Sequence, residues 1–457
     1  MTENKYISQV LVDFAQQAYI AGLPAQVTKK LYEFLIDKIG LELAGSQFPW
    51  SLAGYHATVL FPAKGCSTVV YYGDQVSPEQ AAFINAGFGH AQDFDDTDVQ
   101  SRIHASGIMI PTAFAVGEAV DASGLQVGNA LVIGMEIMSR LGSAVPSSHI
   151  RGFHTPDVVG PFGAAITTGL LLNLNAGQMV NAMGIAGSFS GGVEEYTRTG
   201  GAIKRYLPGI AAIAGIKAAY LAKEGLTGPP SVIEGHHGIC NTFDDGTYIS
   251  KITDKLTEEY VILNTAFKPY NCCYAIHAAL EAFVSVCHEH NIQPDEIKDV
   301  EVGSSKFVVD HVGSIREPDT VVEAQFSLSF MLALSLVKGP PGEYDVTDEV
   351  VQNKDIRLLA SKISMIVDKI AEQEQAESMS SNVKVTTNAG DQFQKRVRFS
   401  KGTTQNPMTL EELETKFRNN LQPICSATKI ESLLELIAKF DTLKNIKMLT
   451  SAIGQLS

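Results

Sequence analysis

The stretch GPFGAAITTGLLL, residues 160–172, predicts a closely packed helix, and PGIAAIAGIKAAYLA, residues 208–222, repeats its composition. Both stretches combine small residues with Leu and Ile at helical intervals, which lets neighbouring helices approach each other closely. Lys204, Arg205 and Lys217 interrupt the apolar residues, and no apolar run reaches the roughly 18 residues that a membrane span needs. The region from 111 to about 226 therefore predicts a buried helical bundle.

Helical spacing of apolar residues also marks the beginning of the chain. Apolar side chains recur every three or four positions within 7–18 and again within 27–39, with Pro24 between the two stretches. A short β-rich segment follows at 67–72, and Pro78 then opens another predicted helix. The first third of the sequence is therefore predicted to be mostly helical.

The character of the sequence changes near Phe267. Residues 299–310 and 383–399 are β-rich, and an Asn-Ala-Gly turn at 388–390 predicts a hairpin within the second segment. Three other segments have helical patterns: 276–288, 323–338 and 349–374. Strands and helices in this order predict a compact α+β module of ordinary domain size.

The end of the chain returns to helices. Thr409 and Glu412 have the spacing of a capping box, and helical patterning continues from there. We therefore predict a mainly α protein with a large all-helical domain at 1–266 and a smaller α+β lid domain at 267–400. The C-terminal helices at 401–457 are expected to rejoin the helical domain, which would make the lid an insertion.

Charge and cysteine content exclude several classes of protein. The net charge of −15 disfavours nucleic-acid and anionic-membrane partners, and it requires local cations wherever an anionic substrate binds. Six cysteines show no CxxC pair, which indicates reduced structural thiols. The N-terminal residues carry an acid and polar groups rather than a basic and then apolar signal, so we expect a cytoplasmic location.

The segment GHAQDFDDTDVQSRIHASG, residues 89–107, is the first candidate for chemistry. On a helix, Asp93 would share one face with Asp96 and Thr97, and His104 follows after a short irregular segment. Acids and a histidine at one place suit proton transfer or metal binding, whereas a solvated acidic helix end is an equally good alternative. No fixed metal-ligand spacing such as HExxH is present, so we expect no metal site.

Three further segments carry basic groups near predicted helix ends or domain borders. His154 precedes a helix N-terminus, where the helix dipole disfavours the charged imidazole, although a simple capping role is an alternative. Lys204 lies in a glycine-flanked apolar region, where a buried cation needs an anionic partner. Lys268 and His277 lie where the character of the sequence changes, a place that favours clefts, or they belong to a solvated linker.

Taken together and in order, these segments resemble the MmgE/PrpD family over essentially the whole chain. The matching motifs are HAQDFDDT (90–97), HASG (104–107), FHTPDVVGPFGAA (153–165), IKRYLPG (203–209), KPYNCC (268–273) and NPMTLEELETKF (406–417). The family includes 2-methylcitrate dehydratases, cis-aconitate decarboxylases and iminodisuccinate epimerases. The combination is specific for the family and much less specific for the reaction.

The resemblance implies a cofactor-free enzyme with a helical domain and an α+β lid, assembled as a homodimer and acting on a small polycarboxylate. It implies that three residues are catalytic: His104, His154 and Asp93. It implies that four residues bind substrate: Thr97, Lys204, Lys268 and His277. The same set suits a hydro-lyase for 2-methylcitrate, a carboxy-lyase for cis-aconitate or a dicarboxylate epimerase, and a catalytically silent binding protein is the non-enzymatic alternative.

Two positions depart from the family pattern. Ala105 follows His104 where many relatives carry proline, which alters the expected loop conformation. Phe330 lies where decarboxylase members resemble one another in having tyrosine, and the missing hydroxyl weighs against cis-aconitate as the specific substrate.

Overall fold

The computed structural model describes residues 5–61, 63–375 and 377–456. The helices of the first two thirds are α1 (Ile7–Ala21), α2 (Ala25–Gly45), α3 (Pro49–Val59), α4 (Pro78–Gly89), α5 (Ala105–Ala119), α6 (Gly124–Ala144), α7 (Ser147–Ile150), α8 (Thr155–Leu171), α9 (Ala176–Ala186), α10 (Tyr196–Thr199), α11 (Leu207–Lys223) and α12 (Ile239–Thr242). The later helices are α13 (His277–Glu289), α14 (Lys306–Val312), α15 (Val321–Gln325), α16 (Leu328–Val337), α17 (Asp348–Val351), α18 (Lys354–Ala360), α19 (Lys369–Glu374), α20 (Leu410–Leu421), α21 (Ala427–Ala438) and α22 (Lys447–Ile453). The strands are β1 (Ser67–Thr68), β2 (Gln75–Val76), β3 (Ile297–Ser304), β4 (Ile363–Val367), β5 (Ser381–Thr387) and β6 (Gln392–Val397). The predicted mainly α fold with a small α+β region is confirmed.

The centre of the helical part is α8, which packs against α5, α6 and α11. Small residues make this possible, as the sequence predicts. A Cβ atom on Gly215 of α11 would lie 2.3 Å from the Cβ of Ala164 on α8, and one on Gly134 of α6 would lie 2.0 Å from Oγ1 of Thr167. Both distances are far below van der Waals contact, so these two helix crossings require glycine. No helix within the described ranges is long and apolar enough to cross a membrane.

The α+β part is built on one four-stranded sheet with the strand order β4-β3-β5-β6. Strands β5 and β6 form the predicted hairpin, and β3 pairs antiparallel with β5, with Val302 opposite Val383. On its other side β3 pairs parallel with β4, with Val300 opposite Ile363. Helix α13 packs against β5 and β6 and covers the sheet.

Four local predictions in and before this part hold only over part of their length. The segment predicted as strand from 299 to 310 becomes α14 after residue 304, because Ser305 caps a new helix. The helix predicted over 349–374 is interrupted by β4, and the one over 323–338 breaks between α15 and α16. The β-rich segment 67–72 contributes only the two residues of β1.

The apolar side chains form two separate cores. One core joins side chains from Leu11 to Phe267 with those from Leu413 to Ile453, so α20, α21 and α22 pack with the helical part. The other core runs from Cys272 to Val397. Thr409 and Glu412 form the capping box that starts α20. The domain bounds 1–266, 267–400 and 401–457 stay a prediction, which this division of the cores supports.

Candidate active site

The segment between α4 and α5, residues 90–104, supplies several polar groups of the site. Asp93 has a φ of 55°, a left-handed conformation that Asp tolerates better than most residues. Thr97 exchanges backbone hydrogen bonds of 2.9 and 2.8 Å with Ala266, which ties the segment to the border of the α+β part. The prediction that Asp93, Asp96 and Thr97 share a helix face is wrong, because α4 ends before them.

Two buried lysines converge on Asp93. Its Oδ1 accepts hydrogen bonds from Lys204 Nζ at 2.8 Å and from Lys268 Nζ at 3.1 Å, and Lys268 also donates to the Asp93 carbonyl at 2.6 Å. Burial alone would raise the pKa of Asp93, but the charges of Lys204 and Lys268 hold that pKa well below its ordinary value. A buried carboxylate thus fixes two ammonium groups that come from different parts of the chain.

A second buried layer supports Lys204. Its Nζ lies 2.9 Å from His90 Nε2, and His90 Nδ1 lies 2.9 Å from Asp95, which also accepts from Lys38 at 3.0 Å. Burial is the main cause that lowers the pKa of His90 to about 4. The neutral ring therefore accepts from Lys204 through Nε2 and donates to Asp95 through Nδ1.

A metal ion is one possible occupant of this layer. Ligand atoms of His90, Asp93 and Asp95 all lie within 4.8 Å of one another. Ammonium groups of Lys38 and Lys204 already donate to the two carboxylates, and Lys268 adds a third donor. Because protein cations already balance these acids, the arrangement favours the sequence-based expectation of no metal site, which stays a prediction.

His104 lies at the N-cap position of α5, with Nδ1 2.6 Å from the Asp96 carbonyl oxygen. A carbonyl oxygen only accepts, so Nδ1 carries a hydrogen. Burial, together with the charge of Lys268, holds the pKa of His104 well below its ordinary value. The ring is therefore neutral near pH 7 and has its lone pair on Nε2, which suits a proton acceptor.

His154 lies at the N-cap position of α8, as the sequence indicates. Its Nδ1 forms a very short hydrogen bond with the carboxylate of Asp157, one turn further along. Burial raises the pKa of Asp157, and the contact with His154 opposes part of that rise. A carboxylate on Nδ1 orients the ring and stabilises its protonated form, which suits a proton donor at Nε2.

The candidate site is one cavity of about 690 Å³, counted out to its open mouth. Six of the seven predicted site residues belong to its wall: Asp93, Thr97, His104, His154, Lys204 and Lys268. Tyr196, which is buried, and Tyr274, which is half-buried, belong to the same wall. The helical part supplies the two histidines and Lys204, whereas Tyr274 comes from the segment before α13.

His277 is the predicted site residue that does not line the cavity. It is fully buried, its Nε2 lies 3.4 Å from the Cys272 carbonyl, and its ring packs between Tyr270 and Tyr274 at centroid distances of 5.3 and 5.2 Å. A substrate-binding role for His277 stays a prediction, and this position behind the wall does not support direct contact.

The buried His277 ring gives a pH-dependent contribution to stability. Burial, followed by the charge of Lys268, lowers its pKa to about 3. The unfolded ring takes up a proton near pH 6.5, so the stabilising contribution is present above that pH and is lost as the pH falls toward 3. We expect the stability advantage of the wild type over His277→Gln to shrink by about 2 kcal/mol between pH 7 and pH 5. Urea unfolding at three pH values measures this change.

The control for this prediction is His288→Gln, an exposed histidine on the same helix, α13. Its free-energy difference from the wild type should stay constant over the same pH range. A constant difference for His277→Gln as well would contradict a neutral buried ring at position 277.

Sequence reasoning missed several polar residues of the site. His90 opens the HAQDFDDT motif, and that adjacency is a signal that could have found it. Asp157 was detectable too, since it lies three residues after His154, a spacing that places it one helical turn away. Arg102 lies two residues before His104 in the segment 89–107 and was detectable in the same way, whereas Lys38 carries no local signal because only the fold brings it to Asp95.

Comparison with known proteins places these groups in a family. The family model for the MmgE/PrpD N-terminal domain matches residues 9–251, and that for the MmgE/PrpD C-terminal domain matches residues 270–442. The first match alone spans more than half of the chain.

Individual relatives agree with this result. A cis-aconitate decarboxylase from Aspergillus terreus is 25% identical over 97% of this chain and 95% of its own length. The cis-aconitate decarboxylases of Mus musculus and Homo sapiens are each 25% identical, over 93% and 94% of this chain and 88% and 91% of their own lengths. The chain therefore belongs to the MmgE/PrpD family.

Proposed function

We propose that this protein is a cofactor-free lyase that acts on a small polycarboxylate, with decarboxylation of a cis-aconitate-like substrate as its reaction. The observation that carries the proposal is the cavity in which two ammonium groups meet two imidazoles that are each held through Nδ1. The names of the relatives, all cis-aconitate decarboxylases, support the choice of reaction. The cytoplasmic location and the homodimer expected from the sequence are part of the same proposal.

Lys204 and Lys268 are the proposed carboxylate clamps. The two ammonium groups share one carboxylate, Asp93, so this group of three side chains carries one net positive charge at the cavity wall. A substrate carboxylate would neutralise that charge where few water molecules compete. Such a local cation is also what a protein with a net charge of −15 needs to bind an anion.

The two histidines would divide the proton transfers. In decarboxylation the bond to one carboxylate carbon breaks, carbon dioxide leaves, and the electron pair stays on a carbanion-like centre stabilised by conjugation. His154 would deliver the proton that quenches this centre, and Asp157 would stabilise the charge of the ring beforehand. Decarboxylation needs this donor but no base.

Dehydration of a 2-methylcitrate-like substrate is the second candidate, and neutral His104 is the observation that favours it. Here His104 Nε2 would remove the proton beside a carboxylate while His154 protonates the departing hydroxyl group. Two histidines in one cavity also suit an epimerase, in which groups on opposite faces exchange one proton. A catalytically silent polycarboxylate-binding protein would need only the lysines.

Phe330, where decarboxylase members have tyrosine, is a weaker argument against a cis-aconitate-like substrate than the sequence alone suggests. Its side chain is fully buried in the core of the α+β part and does not belong to the cavity wall. The missing hydroxyl group at position 330 is therefore not missing from the cavity wall, where Thr97, Tyr196, Thr197 and Tyr274 are the residues that carry hydroxyl groups.

Proton NMR in deuterated buffer tests the proposal. The purified protein is incubated with cis-aconitate, 2-methylcitrate, citrate or iminodisuccinate, each beside a His154→Asn variant. We expect new methylene signals and loss of a carboxylate from cis-aconitate with the wild type only. Olefinic products from 2-methylcitrate would establish the hydro-lyase instead, and deuterium exchange without another product would establish the epimerase. No change with any of the four would contradict the proposed lyase.

A further inference from the structure

Arg102 is a third cation of the cavity, and neither the sequence motifs nor the proposed reaction uses it. It lies on the turn that precedes His104, where the Asp98 side chain accepts from two backbone N–H groups and Asp98 pairs with Ile103. Its backbone has a φ of 56°, a left-handed conformation that is costly for a long side chain. The fold thus holds the half-buried guanidinium against the cavity.

The guanidinium lacks a protein acceptor where it is most enclosed. Its Nη1 is buried, and within residues 5–61, 63–375 and 377–456 no acceptor lies within hydrogen-bonding distance of it. The nearby carboxylate of Glu194 lies 2.5 Å from His149 Nδ1 and so already has a partner. Because an unbonded buried donor is unfavourable, this nitrogen is suited to an acceptor that arrives with a ligand.

An aromatic wall connects Arg102 with the lysine end of the cavity. The Arg102 guanidinium lies 4.6 Å from the centre of the Phe307 ring. The Phe307 and His311 ring centroids are 5.4 Å apart, and those of His311 and Phe326 are 5.6 Å apart. Lys204 Nζ then lies 5.6 Å from the Phe326 ring. Cations therefore stand at both ends of one series of flat side chains, and this series lines the cavity.

We propose that Arg102 binds a substrate carboxylate that the two lysines do not reach, so that the cavity selects tricarboxylates over dicarboxylates. A guanidinium suits this role because its planar fork donates two parallel hydrogen bonds to one carboxylate. The inference rests on the proposed function, since it places the third carboxylate of the substrate in the same cavity.

Calorimetric titration of Arg102→Gln with two matched probes tests this selectivity. Tricarballylate and glutarate have the same carbon chain between their outer carboxylates and differ by the central carboxylate alone. We expect the substitution to weaken tricarballylate binding by about 10-fold to 100-fold, the range for a hydrogen bond to a charged group. Glutarate binding, in which each of the two lysines holds one outer carboxylate, should change by no more than about twofold.

Arg151→Gln is the matched control, because Arg151 is exposed, donates to the Thr242 carbonyl and does not line the cavity. It should leave both affinities unchanged. Equal losses for the two probes in Arg102→Gln, or no loss, would overturn the role of Arg102 while leaving the proposed function intact. A wild type that binds neither probe would remove the proposed function and this inference together.

A second variant, Arg102→Lys, tests the same role if Arg102→Gln does not fold. Arg102→Lys keeps the charge and the methylene stem but loses the fork, so it should reduce the preference for tricarballylate over glutarate at least about threefold. Circular dichroism verifies the fold of each variant. An unchanged preference in a folded Arg102→Lys protein would contradict bidentate binding by Arg102.

Discussion

Replacing His154 with asparagine should lower kcat by about 10²-fold to 10⁴-fold, the usual contribution of a positioned proton donor. The side-chain amide of asparagine can still donate to Asp157 in place of Nδ1, so the substitution keeps that contact and removes the Nε2 atom. The proposed decarboxylation and the alternative dehydration both require this proton. Steady-state kinetics on the substrate identified by NMR measures the loss, and KM should change little because the lysines are untouched.

Two further variants sharpen this expectation. His56→Asn, an exposed histidine of α3, should leave kcat unchanged. His104→Asn distinguishes the two lyase reactions, because dehydration needs a base and decarboxylation does not. A His154→Asn enzyme whose kcat stays within about threefold of the wild type would show that the proton comes from elsewhere, since an essential donor is worth far more.

Much of the fold follows from local sequence patterns. Small residues at 160–172 and 208–222 predict helices in close contact, and Gly215 of α11 packs where a larger residue would collide with Ala164 of α8. The capping box at Thr409 and the hairpin at 388–390 are equally local signals, and both are present in the structure. Patterns of this kind depend on few residues, so the sequence alone specifies them.

Other features depend on contacts between distant residues. Strand β4 was predicted as helix because its identity depends on parallel pairing with β3, more than 60 residues earlier. The segment containing Asp93 leaves the helix because Lys204 and Lys268 fix its carboxylate and Ala266 fixes its backbone. Tertiary contacts of this kind override local propensity.

In the candidate site, too, some features could be predicted from the sequence and others depend on tertiary contacts. The motifs predicted six residues of the cavity wall, because a family resemblance already contains the three-dimensional arrangement that its members share. The family resemblance could not show that His277 lies behind the cavity wall, nor that Arg102 belongs to the wall. Those two positions depend on the packing of Tyr270 and Tyr274 and on a turn with a left-handed residue.

Replacing Asp93 with asparagine should destabilise the protein by roughly 3–5 kcal/mol, the usual cost of breaking a buried ion pair by removing one partner. The variant keeps the shape of the side chain but leaves Lys204 and Lys268 without their shared charge, and both ammonium groups are almost completely buried. The folded-state pKa of Asp93 lies below the unfolded value, so its contribution is fully present above about pH 4. Urea unfolding at pH 7.5 measures the loss.

A matched surface pair and a double variant separate charge from packing. Asp13→Asn breaks the exposed pair with Lys5, and should cost less than about 1 kcal/mol. Adding Lys204→Met to Asp93→Asn should restore part of the lost stability, because it removes one of the two uncompensated cations. If Asp93→Asn is as stable as the wild type, Asp93 does not hold charged lysines in the cavity. In that case Asp93 would not fix the positions of Lys204 and Lys268 before the substrate arrives. The substrate carboxylate itself would have to position the two lysines, so the lysine clamp would form only when substrate binds.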